Sequence, residues 1–280
     1  MHARAPRISF ATARDGYRFA VRRWDVEKPL GRVVFLHGIV SHGGWYLSSS
    51  AHLAQSGLEV HFLDRRGSGV NPQDRGHVDR FQTWLSDVED YLEGMGGSLP
   101  RILLGISWGG TLAAAVARHR PDLLAGVGFL CPGLFSRKSA TAAQRAGIRL
   151  ACLLGLRRLR VGIPLRDPAL FTNNPKARAY IAGDPLALWT MTLAFAAANL
   201  DLCRYATEAP EEIRVAPLAM LAELDPITEN DQVRRFVERI SHPRKKIIEY
   251  PGASHTLEFE PDPAQYYADL ASWCREIAGA

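Results

Sequence analysis

The feature that most restricts this chain is a short apolar run that passes through a glycine-bracketed serine into a helix. Ile102 to Leu104 predicts a buried strand, and Thr111-Leu112-Ala113-Ala114-Ala115-Val116-Ala117 predicts a helix. Between them stands Gly105-Ile106-Ser107-Trp108-Gly109-Gly110. Gly-x-Ser-x-Gly by itself is a weak motif, because its residues are common. Between a strand and a helix it becomes a turn so tight that the residues flanking the serine must be small, while the serine backbone is strained and its hydroxyl points outward. The helix starting below it aims unpaired N–H groups at any charge that develops there. This context makes Ser107 a candidate nucleophile.

The rest of the 280 residues supports an α/β reading. Ile8 to Ala11 and Tyr17 to Trp24 read as a hairpin around Arg14-Asp15-Gly16. Short apolar runs at Arg32 to Leu36, Leu58 to Leu63, Leu124 to Leu130, Val215 to Leu221 and Lys246 to Tyr250 read as buried strands. Helical spacing recurs at Leu47 to Gln55, along Phe81, Trp84, Leu85, Val88, Tyr91 and Leu92, at Asp231 to Ile240, and at Ala264 to Ile277. Strand alternating with helix predicts a mostly parallel sheet with helices on both faces, its site at the carboxyl ends of the strands. From Pro132 to Pro210 the alternation stops. The stretch reads as helical only (Ala142 to Leu159, Pro175 to Ala182, Leu186 to Arg204) and is too long for a loop. We therefore expect a core of residues 1–131 and 211–280 interrupted by a helical cap of residues 132–210. Leu150, Leu153, Leu154 and Leu156 would line the inner face of that cap or pack on the sheet domain, favouring an apolar substrate.

Composition removes several classes of function. A content of 47% apolar and 22% charged residues suits a globular protein, and no apolar run is long enough for a membrane span. Met1 to Arg7 is basic but leads into no apolar signal core, so the expected location is cytoplasmic. Cys131, Cys152, Cys203 and Cys274 are scattered without metal-ligand spacing and read as small apolar residues of a reduced compartment. The net charge of +5 is uneven: Leu134 to Arg166 carries eight basic side chains and no acidic one. No aromatic interleaving accompanies them, which argues against nucleic acid. A solvated helix face is the first reading, and peripheral contact with an anionic lipid surface or an acidic partner the second.

A serine hydroxyl needs a base at neutral pH, and the base needs a carboxylate to fix its tautomer. His255, in the loop after the last strand, and Asp225, just past the end of the preceding one, supply them in the order Ser107, Asp225, His255. Glu223 is the nearest rival to Asp225 but sits one step inside the strand end. Asp64, at another strand end, reads as structural, a cap or a partner for Arg65 or Arg66. Glu258 and Asp262 read as solvated surface. The strand-end pair His37-Gly38 turns the chain so that the N–H of Ile39, together with that of Trp108, can hold an oxyanion. His37 and His42 lack a third ligand, so no metal site is expected.

With these residues assembled, the chain resembles the α/β-hydrolase fold, and more narrowly the monoacylglycerol lipase group and related serine aminopeptidase-like hydrolases. The resemblance covers nearly the whole chain. It rests on His37-Gly38 with His42 and Tyr46, on Gly105 to Gly110, on Asp225, on Gly252-Ala253-Ser254-His255, and on the cap run Asn174 to Leu186. It implies cofactor-free hydrolysis of an ester of one fatty acyl chain through an acyl-enzyme. The family usually has histidine before the serine and methionine after it; here they are Ile106 and Trp108. The loop Ile39-Val40-Ser41 is also bulkier than usual. Thioesterase, acyltransferase or amide-hydrolase chemistry on the same three residues is the nearest alternative. A non-catalytic receptor for a small apolar ligand is the alternative from another class.

Overall fold

The computed structural model describes residues 5–280. Met1 to Arg4, with His2 and most of the basic N-terminal run, lie outside the described residues. The elements in chain order are β1 (Arg7–Thr12), β2 (Arg18–Trp24), β3 (Gly31–Leu36), α1 (Leu47–Gln55), β4 (Leu58–Leu63), α2 (Phe81–Gly94), β5 (Arg101–Ile106), α3 (Trp108–His119) and β6 (Gly126–Leu130). There follow α4 (Ala142–Leu153), β7 (Arg160–Gly162), α5 (Pro175–Gly183), β8 (Thr190–Thr192) and α6 (Leu193–Glu208). The chain ends with β9 (Ala216–Ala222), α7 (Asn230–Arg239), β10 (Lys246–Tyr250) and α8 (Ala264–Ala278).

Eight strands form one sheet in the order β1-β2-β4-β3-β5-β6-β9-β10. The hairpin β1–β2 and the β2–β4 pair are antiparallel, and every other pair is parallel. The central strands read as unbroken apolar runs because both sheet faces are covered. Val34, Leu103 and Phe129 point into a core shared with Trp84 of α2, Ala114 of α3 and Phe236 of α7. Val33, Phe35, Ile102 and Leu104 point into a second core shared with Leu53 of α1 and Trp273 of α8. Alternate residues of one strand thus serve opposite cores, as the two-residue repeat of a strand requires.

The stretch from Pro132 to Pro210 departs from a helical-only reading. The helix expected over Ala142 to Leu159 stops at Leu153, and Gly155 takes a left-handed φ of +84° just beyond it. The chain then forms β7, which pairs antiparallel with β8. The helix expected from Leu186 begins only at Leu193, where the Thr192 hydroxyl accepts from the N–H of Phe195 and sets the start.

The leucines of this stretch also lie where the sequence did not put them. Leu150, Leu153, Leu154 and Leu156 are 57, 84, 69 and 49% exposed, and α4 buries no residue. The reason is layering. Helix α6 packs on α3 and carries α4 on its other side, so α4 is a third layer with no sheet surface left to cover. Arg149 of α4 is held by Asp201 of α6 at 2.8 Å.

The join between β5 and α3 brings backbone against backbone. A Cβ on Gly105 would stand 2.3 Å from the carbonyl oxygen of Gly109, and one on Gly109 would stand 2.2 Å from that of Leu36. Both obstacles are backbone and cannot swing away. Gly105→Ala is therefore expected to cost about 3 kcal/mol or more and to lower the thermal midpoint by well over 5 °C. A melt within 2 °C of the parent would contradict the packing described.

Candidate active site

Ser107 occupies the β5–α3 turn with φ +52° and ψ −121°, a conformation that side-chain-bearing residues rarely adopt. Three backbone hydrogen bonds hold it there. Its N–H donates to the carbonyl of Leu130 at 2.9 Å, and its own carbonyl accepts from Gly110 at 2.8 Å and Gly133 at 2.7 Å. The strain is thus carried by the ends of β5 and β6 together, and the hydroxyl is turned toward the carboxyl edge of the sheet.

His255 lies in the loop after β10, and its Nε2 is 2.9 Å from the Ser107 Oγ. Its Nδ1 is 2.7 Å from Oδ2 of Asp225, past the end of β9. The other carboxylate oxygen of Asp225 accepts from the N–H groups of Ile227 at 2.8 Å and Thr228 at 2.9 Å. Burial opposes ionisation of this carboxyl, but the His255 imidazole and the two N–H groups outweigh it and hold the pKa below the ordinary carboxylate range. A carboxylate on Nδ1 selects the tautomer whose Nε2 lone pair faces the hydroxyl. Ser107, His255 and Asp225 are all buried. The structure brings together the three residues that the sequence picked out, 148 and 30 positions apart along the chain.

The rivals are elsewhere. Glu223 accepts from the N–H of Gly252 at 2.7 Å and so shapes the His255 loop from outside. Asp64 is structural, as expected, but its partner is neither Arg65 nor Arg66. It pairs with buried Arg22 of β2 at 2.6 Å and accepts from the N–H groups of Gly43 and Val70. Both ring nitrogens of His42 are engaged in hydrogen bonds. Its Nδ1 accepts from the N–H of Gly44, so its Nε2 carries the proton and donates to Asp184 at 2.9 Å. Trp45 donates to the same carboxylate oxygen at 2.6 Å. Asp184 follows α5, so this cluster ties the stretch after β6 to the loop after β3. The Asp184-Pro185 pair was visible in the sequence; its reach to His42 was not.

The loop after β3 passes directly over the serine: a Cβ on Gly38 would stand 3.4 Å from the Ser107 Cβ. The N–H groups of Ile39 and Trp108 donate to no group among the described residues. A cavity of about 540 Å³ opens beside Ser107 and Trp108. Its walls include the apolar side chains of Ile39, Ile148, Leu165 and Met191, and α4 and α6 add Arg145 and Arg204. Trp108 is fixed at the cavity wall by a 2.6 Å hydrogen bond from its Nε1 to Asn199 of α6. A volume of this size with a mainly apolar lining accepts an acyl chain.

The family described as serine aminopeptidase, S33, matches residues 27–262. The chain is 25% identical over 266 residues to the monoacylglycerol lipase of Mycolicibacterium smegmatis, covering 92% of this chain and 93% of that protein. It is 26% identical over 251 residues to the monoglyceride lipase of Homo sapiens, covering 88% and 82%. The crystal structure of Paleococcus ferrophilus monoacylglycerol lipase matches with a TM-score of 0.83 at 26% identity, over 92% of this chain and 99% of that one. A soluble variant of monoglyceride lipase from Saccharomyces cerevisiae, in complex with a substrate analog, matches in fold with a TM-score of 0.86 at 19% identity, over 99% and 97%.

Glu258, read from the sequence as solvated surface, is buried three residues past His255. Its Oε1 accepts from the N–H groups of Ser48 and Ser49 at the start of α1, both at 3.0 Å, which explains why the fold draws it inward. Burial nevertheless raises its pKa to about 7, against those two N–H groups. The folded protein therefore holds this proton more tightly than the unfolded chain does. The linked stability is present below the ordinary carboxylate range and is lost as pH rises through about 7. Glu258→Gln keeps an acceptor for both N–H groups and cannot titrate. Its thermal midpoint relative to the parent is expected to be higher at pH 8 than at pH 5. Equal differences at the two pH values, read by circular dichroism, would contradict this.

Proposed function

The chain belongs to the serine aminopeptidase S33 family, and we propose that Ser107, His255 and Asp225 carry its reaction. It is a carboxylic-ester hydrolase of the α/β-hydrolase fold, similar to monoacylglycerol lipases, and its substrates are small-molecule esters with apolar acyl chains. The observation that supports the assignment of residues is the unbroken hydrogen-bonded line from Ser107 Oγ through His255 to Asp225, at 2.9 and 2.7 Å.

In this reading Ser107 Oγ attacks the ester carbonyl while His255 Nε2 takes its proton. Asp225 stabilises the resulting imidazolium. The N–H groups of Ile39 and Trp108 receive the oxyanion of the tetrahedral intermediate. Collapse expels the alcohol, protonated by His255, and leaves the acyl group on Ser107 in the 540 Å³ cavity. Water, deprotonated by His255, then frees the acid. Residues 132–210 act as a cap on a core made of residues 1–131 and 211–280. No described helix is long and apolar enough to cross a membrane. A cytoplasmic location is part of this reading, and the four unpaired cysteines suit a reduced compartment. The exposed leucines of α4 and the turn after it, beside Arg149, Arg157 and Arg158, accord with peripheral contact of the cap with anionic lipid.

Ser107→Ala is expected to lower turnover of p-nitrophenyl butyrate by at least about 10⁴-fold with an unchanged melt, and to abolish labelling by a fluorophosphonate probe. Retained turnover would refute the nucleophile, and a parent protein that does not label would favour a non-catalytic ligand receptor. For the cap, Leu153→Glu with Leu154→Glu should leave hydrolysis of soluble p-nitrophenyl butyrate within about twofold, since both positions are surface. The same variant should lose sedimentation with anionic vesicles. Undiminished vesicle binding would remove α4 from the lipid contact.

A further inference from the structure

Arg65 is a buried cation with no counter-charge of its own. It follows β4, its side chain is almost wholly enclosed, and no carboxylate of the described residues forms an ion pair with it. The neighbouring Asp64 is committed to Arg22. Burying an unpaired guanidinium is costly and calls for an explanation.

What the guanidinium touches is the loop over the serine. Nη1 donates to the carbonyl of Gly38 at 2.7 Å, and Nη2 donates to the carbonyl of Ile39 at 2.5 Å. The plane stacks near Trp108, with Cζ 4.6 Å from the ring centroid, and 5.8 Å from that of Phe195. The guanidinium therefore holds the backbone segment that supplies the Ile39 N–H and lies against the indole side chain of Trp108, whose own N–H is the second oxyanion donor of the proposed reaction.

His37 joins it. The N–H of Arg65 donates to His37 Nε2 at 3.0 Å, so that nitrogen holds a lone pair and the proton resides on Nδ1. Nδ1–H donates to the same Gly38 carbonyl at 2.8 Å. Burial and the Arg65 charge keep the imidazole neutral, well below its ordinary pKa. Two donors, one of them cationic, thus converge on one carbonyl oxygen.

That oxygen belongs to the peptide unit whose other end is the N–H of Ile39. Drawing electron density toward the Gly38 oxygen makes the Ile39 N–H a stronger donor, because hydrogen bonds along a conjugated peptide polarise one another. The same contacts fix the direction of that N–H before substrate arrives, which is what electrostatic preorganisation requires. We propose that Arg65 is a positioning residue that, with His37, orients and polarises the Gly38–Ile39 peptide so that its N–H holds the transition-state oxyanion. This rests on the reading of Ile39 as an oxyanion donor. It accounts for the location of an otherwise uncompensated charge: the guanidinium is matched to a negative charge that exists only during the reaction.

The test uses the full-length protein with p-nitrophenyl butyrate as substrate and phenylboronic acid as a mimic of the tetrahedral anion. Losing a whole oxyanion donor costs about 10²–10³ in kcat, so losing its polarising partner should cost a part of that. Arg65→Met is expected to lower kcat by roughly 30-fold, with KM within about twofold, and to weaken boronate binding by the same factor. Arg65→Lys keeps the charge but serves only one carbonyl, and should fall between the two. A purely structural role would instead lower the melting temperature and raise KM, with boronate and kcat effects unrelated; that outcome, or an Arg65→Met kcat within threefold of the parent, overturns the proposal. Should Arg65→Met not fold, the Lys variant decides alone, by whether kcat and boronate affinity fall together. A backbone ester in place of the Ile39 amide removes the N–H itself and tests the underlying reading separately. An active ester variant refutes Ile39 as donor. A slow ester variant beside a normal Arg65→Met refutes only the role of Arg65. In the ester variant Arg65→Met should have little further effect, because the group it acts through is gone.

Discussion

The first turn of α3 lies against the ends of β3 and β5 so closely that no side chain fits at Gly105 or Gly109. Most of the site's geometry follows from that contact. It forces Ser107 into its positive φ, sets the hydroxyl at the sheet edge, and brings the loop after β3 to within contact of the serine. Backbone strain of this kind persists only where the surroundings over-determine it. Here the determination comes from the carbonyl of Leu130 and the N–H of Gly133, at the end of β6, and from the N–H of Gly110 in the first turn of α3.

Around that contact the protein buries more charge than its apolar composition suggests, and each charge is matched differently. Asp64 and Arg22 form a closed pair with two backbone donors, a structural clamp between β2, β4 and the loop after β3. Asp225 is matched by His255 and two N–H groups, which keeps it ionised despite its burial. Glu258 is matched only by N–H groups at the start of α1, and its Oε2 has no partner among the described residues, so its proton is held up to about pH 7. Arg65 is matched only by carbonyl dipoles and aromatic faces. Of these buried groups, Asp64 and Asp225 are fully paired, whereas Glu258 and Arg65 are only partly so. Partial pairing is where an electrostatic response to a reacting substrate remains available.

The stretch between β6 and β9 follows a looser logic. Beside the apolar packing of residues such as Phe171, Ile181 and Phe195, specific polar ties hold it to the core: Asp184 receives His42 and Trp45, and the carbonyl of Phe171 accepts from the N–H of Thr256 beside His255. Its outer layer, α4, shows apolar and basic side chains to the outside.

Local signals carried a large part of this structure. The alternation of short apolar runs with helical stripes determined a mostly parallel sheet, because a strand buried on both faces has no other composition available to it. The glycines around Ser107 determined the turn, because only hydrogen side chains fit where two backbones touch, and the chain order of Ser107, Asp225 and His255 followed from strand ends. What the sequence could not decide was anything set by which layer an element joins or by partners distant in the chain. The leucines of α4 look like core residues until α6 takes the place between them and the sheet. Glu258 looks like surface until the start of α1 arrives to receive it, and Asp64 looks like the partner of its neighbours until Arg22 of β2 reaches it first. Arg65 carries no sequence mark at all, since its meaning depends on two carbonyls 26 and 27 residues away whose direction exists only once the loop after β3 has closed over the serine.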